Sequence, residues 1–326
     1  MSIHSSLSGR SSSMPCVPLG RTGLRASRMG LGCGGHSRLG QSQGKPEAAS
    51  VDLVREALDL GVNFIDTAEA YRTEAIVGQA IRGRAREAVI LSTKKSPRRD
   101  GQLITADDLE AALHASLRRL GTDHVDIYHL HGVSAADYPH ARRELVPALQ
   151  RLRDAGKIRC LGITEEFHSD PGHVMLQQAV ADDCWDVMMV GFNILNQSAR
   201  ERVLAKTQAK GIGVLGMFAV RRALHDAQKL RATVRELVAR GEVDGDALEA
   251  DDPLGFLVAN GAAASVTDAA YRFCRDEPGV HVVLSGTGNP AHLHANARSL
   301  TGPPLPAADC ARLAAAFRRV DSVSGQ

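Results

Sequence analysis

Four polar residues in the first half of the chain have types and positions that would build a proton donor: Asp66, Tyr71, Lys94 and His131. Asp66 lies in the apolar run VNFIDTA (62–68), Tyr71 follows it by five residues, and Lys94 and His131 lie near the ends of AVILSTKK (88–95) and VDIYHLHG (125–132). Taken singly, each has an ordinary structural explanation as a helix cap, a surface aromatic or part of a solvated basic run. Taken together they make a working acid. A phenol with a reference pKa of about 10 gives up its proton at neutral pH only when a nearby cation favours its anion, and Lys94 supplies that cation. A buried ammonium in turn needs a carboxylate, the role of Asp66, while His131 can hydrogen-bond a carbonyl oxygen. Such a set suits hydride transfer, in which negative charge grows on the oxygen and a proton must discharge it.

The elements that must position these residues recur along the chain. Eight short apolar runs alternate with amphipathic stretches: 29–35, 62–68, 88–95, 125–132, 158–164, 186–192, 211–218 and 280–286. Strand and helix in alternation imply parallel pairing, and eight units predict a closed (β/α)₈ TIM barrel rather than an open sheet. Active-site groups of such a barrel come from the C-terminal strand ends, where the four residues fall. An open dinucleotide-binding sheet would want G-x-G-x-x-G after its first strand, and GLGCGGHSRLG lacks that spacing.

Residues 107–120 predict a helix with Leu109, Leu113, Leu117 and Leu120 on one stripe, started by Thr105 with Asp108 in a capping box. Two additions are expected. CVPLGRTGLRAS predicts a hairpin plugging the barrel bottom, and 222–240 predicts an extra helix in a long insertion between the seventh and eighth strands. The acidic stretch after it lacks the spacing of a calcium loop.

Lys+Arg of 39 against Asp+Glu of 37 in 326 residues leaves no basic excess for nucleic acid. Six cysteines without CxxC pairs point to a reducing cytoplasm. No apolar run is long enough to span a bilayer, and residues 1–14 read as a disordered Ser-rich tail, too poor in basic residues for a transit peptide, before one domain at 15–326. The pocket loops are expected at 36–46, 132–142 and 219–262, with little C-terminal tail left to cover the site.

LGRTGLRASRMGLGCGG and GVNFIDTAEAYRTEAIVGQAI, followed in order by STKK, LGTDHVDIYHLHG and GKIRCLGIT, resemble the aldo-keto reductase superfamily from about residue 17 to 300. That resemblance implies reduction of an aldehyde, ketone or sugar by NADP(H) or NAD(H). It maps the catalytic tetrad onto Asp66, Tyr71, Lys94 and His131, with strand alternation favouring Lys94 over Lys95. It puts the nicotinamide near Gly35, Thr164, Glu165, Met189, Met217 and Phe218. Here the chain departs from the family: Thr164-Glu165 replaces Ser-Asn, Met189 replaces Gln, and Met217 replaces an aromatic residue. At the adenosine end it implies Gly286, Thr287, His292 and Asn296, with Arg221 or Arg222 toward the pyrophosphate, and Gly286 and His292 stand where Lys and Arg are common in NADPH-binding members.

Two rival readings accompany this one. His129 and His131, two apart on one strand, would both face the barrel interior and could ligate a metal in a barrel hydrolase, although the later strand ends lack the further ligands such a hydrolase needs. His129 reads instead as a buried, hydrogen-bonded core residue. The other rival is a regulatory subunit that binds the cofactor with little turnover. Trp185, before the sixth strand, reads as a stabilising residue near the barrel bottom.

Overall fold

The computed structural model describes residues 14–326. Residues 1–13 of the tail expected at 1–14 lie outside them, but Met14 is buried beside Gly61 and belongs to the folded unit. The chain opens with the antiparallel hairpin β1 (Cys16–Pro18) and β2 (Arg25–Ser27). Then come β3 (Met29–Gly32), β4 (Phe64–Asp66), β5 (Ile90–Lys95), the two-residue strands β6 (Arg98–Arg99) and β7 (Gln102–Leu103), β8 (Val125–Val133), β9 (Ile158–Glu165), β10 (Val187–Gly191), β11 (Gly213–Met217) and β12 (Val282–Ser285). β6 and β7 form a small ribbon, and the other eight close a parallel barrel in chain order, β12 pairing with β3. These are the eight runs expected from the sequence.

Alternation along each strand decides what the barrel holds. Phe64, Ile90, Ile127, Cys160, Val187, Met189, Leu215 and Val282 fill its lower interior, and Leu19, Leu24 and Ala26 of the hairpin pack on them as the expected plug. Burial of each large apolar side chain contributes about 1.5–3 kcal/mol, so this end is firmly shut. Two residues further along the same faces, alternation turns from apolar to polar: Phe64 is followed by Asp66, Ile90 by Ser92 and Lys94, and Ile127 by His129 and His131. Register then sets Asp66 beside Ser92 and Lys94 beside His129.

The helix Ala106–Leu120 starts with the expected capping box: Asp108 N donates to Thr105 Oγ1 at 3.2 Å and Thr105 N donates to Asp108 Oδ2 at 3.0 Å. The expected helix at 222–240 is two, Arg222–His225 and Ala227–Ala239. Asp226 leaves the helical region at φ −122° so that its carboxylate can accept from Gln228 N and Lys229 N, and this N-cap outcompetes continuation of the first helix. Trp185 is fully buried and its Nε1 donates to Tyr138 Oη at 3.2 Å, while Arg21 of the hairpin reaches its carbonyl. No helix among the described residues is long and apolar enough to cross a membrane.

Candidate active site

At the C-terminal strand ends, Lys94 Nζ donates to Asp66 Oδ2 at 2.6 Å and to Thr67 O at 2.7 Å, and Ser92 Oγ donates to the other Asp66 oxygen at 2.7 Å. Lys94 is completely buried. Burial pulls its ammonium down, but Asp66 and Tyr71 more than offset this and hold it above the usual lysine range. Its Nζ lies 5.0 Å from the Tyr71 ring centroid. Lys95 points elsewhere, to Glu69, as alternation requires.

Tyr71 stands in the loop after β4, its hydroxyl 3.2 Å from His131 Nε2 with the two rings edge to face. Burial pushes its phenol up, and Lys94 and Arg221 pull it partly back. Desolvation outweighs the cation expected to dominate, so the resting group is the protonated phenol. His131 is held down to about 3 by burial and Lys94, and is neutral. Its aim comes from a bulge: Leu130 pairs with Ile163 but Val133 with Glu165, one extra residue on β8 with Gly132 at φ +60°. Gly132 N donates to Thr164 Oγ1 at 2.7 Å, which pins the bulge.

A cleft of about 1170 Å³ opens beside these residues, and Lys94 and His131 are not part of its lining. Of the expected cofactor residues, Gly35, Met189, Met217, Phe218, Arg221, Gly286, Thr287, His292 and Asn296 line it, as do Asp66 and Tyr71. Thr164 and Glu165 do not. Glu165, expected to accept from a carboxamide, is buried with its carboxylate 2.9–3.0 Å from His173 Nδ1 and accepting from Gly191 N at 2.8 Å. Burial pushes its pKa up. His173 sits at φ +61° and stacks on Phe167, whose ring occupies the space a side chain at Gly191 would need.

The loop 36–46 lines the cleft as expected, but 132–142 does not, because Asp137 turns outward to a two-bond pair with Arg98. Of 219–262, residues 219–222, His225 and Asp226 reach the cleft, and the remainder packs against the C-terminal segment through contacts such as Arg319 with Asp244. That segment also corrects an expectation. Asn196 and Asn193 donate to Val323 O and Ser324 O, Ala223 N donates to Gly325 O, and Gln326 lines the cleft.

His129 is fully buried, but neither ring nitrogen has a hydrogen-bond partner, against the expectation of a bonded core residue. Its ring packs where a side chain at Gly162 would lie, and no cluster of three or more metal-ligating residues exists among the described residues. The metal reading therefore loses its site.

Several residues escaped the sequence reading. Gly34 leaves room for Tyr71: an added Cβ would lie 2.4 Å from its ring. Arg38 Nε donates to Tyr71 O at 2.8 Å, and Lys45 Nζ donates to Gly288 O at 2.6 Å, bringing a cation to the β12 loop. The 36–46 loop position was a signal for both, whereas Tyr271, which meets Ser285 Oγ at 3.1 Å, gave none.

A family profile described as the Aldo/keto reductase family matches residues 29–318. The chain is 31% identical to the NADH-specific methylglyoxal reductase of Escherichia coli (strain K12) over 62% of its length and 66% of that protein's. It is 36% identical to the L-galactose dehydrogenase of Arabidopsis thaliana over 45% of its length and 47% of that protein's. It thus spans about two thirds and about half of these two curated relatives. A solved aldo-keto reductase, AKR11C1 from Bacillus halodurans in holo form, superposes with a TM-score of 0.69 at 25% identity, covering 92% of this chain and 95% of that one. Barrel, buried acid-amine pair, phenol and matched profile converge on one assignment: the chain belongs to the aldo/keto reductase family of oxidoreductases.

Proposed function

We propose that this protein interconverts a small aldehyde, ketone or sugar and its alcohol using NAD(H) or NADP(H), with Tyr71 as general acid and base. The observation that carries the reading is the fully buried Lys94 ammonium, fixed between Asp66 and Thr67 and 5.0 Å from the Tyr71 ring, with Tyr71 Oη 3.2 Å from a neutral His131.

The cleft's chemistry fits a nicotinamide dinucleotide. Met189 and Met217 offer an apolar, polarizable floor for a flat ring. The phosphates would meet Thr287, Lys45 and Arg222, and His292 and Asn296 would flank the adenosine. Gly35 and Phe218 would border the nicotinamide. Thr164 retains its hydroxyl proton, whereas Glu165 is committed to His173 and Gly191. When bound, the reduced cofactor supplies hydride to the carbonyl carbon.

The chain's own residues handle the oxygen. Neutral His131 donates an N–H that orients the carbonyl without bringing charge, and Tyr71, kept protonated by burial, delivers its proton to the growing alkoxide. The phenolate so formed is stabilised by Lys94, whose own proton is secured by Asp66. In the oxidative direction the same groups run in reverse.

With Gly286 and His292 at the adenosine end, a 2′-phosphate finds no arginine or lysine on that segment. We read the site as accepting NAD(H), in keeping with the name of the Escherichia coli relative, with Lys45 as the cation available to NADP(H). The scattered cysteines support a cytoplasmic location.

The test is oxidation of each reduced dinucleotide with an aldehyde panel, beside Tyr71→Phe. Loss of roughly 10²–10⁴-fold in kcat, with dinucleotide Kd nearly unchanged, is expected. Dinucleotide binding by the unaltered protein with no turnover of any carbonyl would instead support a regulatory binding subunit, the reading favoured by the committed Glu165 carboxylate.

A further inference from the structure

Arg221, directly after β11, has an unusual setting for a guanidinium. It lines the cleft, stacks on the Phe218 ring with its Cζ 3.6 Å from the centroid, and has no side-chain hydrogen bond or ion pair among the described residues. Phe218 takes φ +67°, a left-handed conformation costly for a bulky residue, which presents its ring to Arg221 on one side and edge-on to Phe167 on the other. The stacking is thus built into the backbone.

The two side-chain carboxylates lining the cleft are already engaged, Asp66 by Lys94 and Ser92 and Asp226 by the amides it caps. Gln326, the last residue, also lines the cleft near Arg221, yet no carboxylate oxygen pairs with the guanidinium among the described residues. A planar, stacked, unpaired guanidinium facing a cavity is a two-pronged receptor for a carboxylate or phosphate. Burial lowers its pKa, and Tyr71 and Tyr271 are the groups that raise it. Its Nη1 lies 4.0 Å from where a side chain at Gly35 would begin. It therefore belongs to the end of the cleft that holds Tyr71, while Lys45 and Thr287 belong to the β12 end.

We propose that Arg221 anchors an anionic group of the substrate, so that the preferred substrates are carbonyl compounds bearing a carboxylate. This rests on the reading of Tyr71 as the proton donor, because Arg221 is then one side of the pocket in which the carbonyl is turned. An anion on Arg221 would fix the carbonyl in the cleft before the proton moves, lowering KM for acids relative to their neutral esters.

Phosphate of the dinucleotide presents the same oxygen chemistry, and the experiment separates the two sources. With the protein saturated by dinucleotide, binding of benzoate and benzamide is measured by calorimetry, and kcat/KM is measured for 4-carboxybenzaldehyde and its methyl ester. The expected result is tighter binding of benzoate, and an acid-to-ester ratio that collapses about 10- to 100-fold in Arg221→Met and is partly rescued in Arg221→Lys. Dinucleotide Kd should move by less than about threefold.

Equal losses for acid and ester together with a dinucleotide Kd weakened about tenfold or more would overturn the proposal and give Arg221 to the cofactor. So would an unaltered protein with no preference for benzoate. If no aldehyde is turned over but benzoate binds in an Arg221-dependent way, the reductase reading fails while the anion receptor stands.

Discussion

The two sides of the barrel mouth meet the same problem, polar side chains in a dry place, and solve it for different ends. On the β4–β5–β8 side, Lys94 is bonded to Asp66 and Tyr71 to His131, an arrangement from which, on the proposed reading, a proton would leave Tyr71. On the β9–β10 side, the Glu165 carboxylate is taken up by His173 Nδ1 and Gly191 N, His173 Nε2 is left buried without a partner, and neither residue lines the cleft. Charge held for use and charge held for architecture look alike in sequence. They differ in whether a partner group still faces the cavity.

The comparison breaks most visibly at Lys94. Lys94→Met should leave Asp66 buried beside Ser92 without its cation, cost about 3–5 kcal/mol of stability by chemical denaturation, and abolish carbonyl reduction even where the fold survives. Retained turnover would remove Lys94 from the acid.

Glu165→Ala should show the opposite profile. It strands His173 and the Gly191 N–H in a dry site, so a loss of about 3 kcal/mol is expected, with kcat in the surviving folded fraction within about threefold. A kcat fall that outruns the stability loss would make Glu165 part of the reacting site.

Acid should expose the proton-handling side next. Burial and Lys94 hold His131 down to about 3 and His129 well below the ordinary imidazole value of 6.5. The unfolded chain then binds more protons than the folded one below pH 6.5, so each histidine's contribution is intact above that pH and is lost as pH falls below it, for His131 down to about 3. The loss is up to about 1.4 kcal/mol per pH unit per histidine. His129→Leu should flatten the fall in denaturation midpoint between pH 6.5 and 4.5, and an unchanged slope would show that His129 does not titrate there.

The smallest effect is expected at Met189→Gln, which returns a donor to the cleft floor. Dinucleotide Kd should tighten by a few fold, about 0.5–1.5 kcal/mol for one added hydrogen bond, and a weaker Kd would mean that the apolar floor is itself the binding feature.

The placement of Asp66, Lys94 and His131 was legible in the sequence because strand alternation carries them: once β4, β5 and β8 are recognised, a position two along from a core residue is inside the mouth, and Tyr71 follows in the loop after β4. The Thr105 cap was legible for a similar reason, its partner lying three residues away. What stayed hidden depends on distant chain. Asp226 breaks a stretch whose helical periodicity continues through it, Lys45 finds a carbonyl 243 residues later, and the last four residues are held by Asn193, Asn196 and Ala223 so that Gln326 reaches the cleft. The Glu165–His173 pairing stayed hidden although the partner is close in sequence and Pro171-Gly172 marks a turn, since the left-handed residue that brings the ring back is His173 itself, a type that does not announce that conformation.

The hairpin gives the barrel a sealed floor, so the described cleft opens at the opposite end. If a dinucleotide and a carbonyl compound share that cleft, as proposed, both come and go through the same opening, and the guest that settles deeper would leave only after its companion.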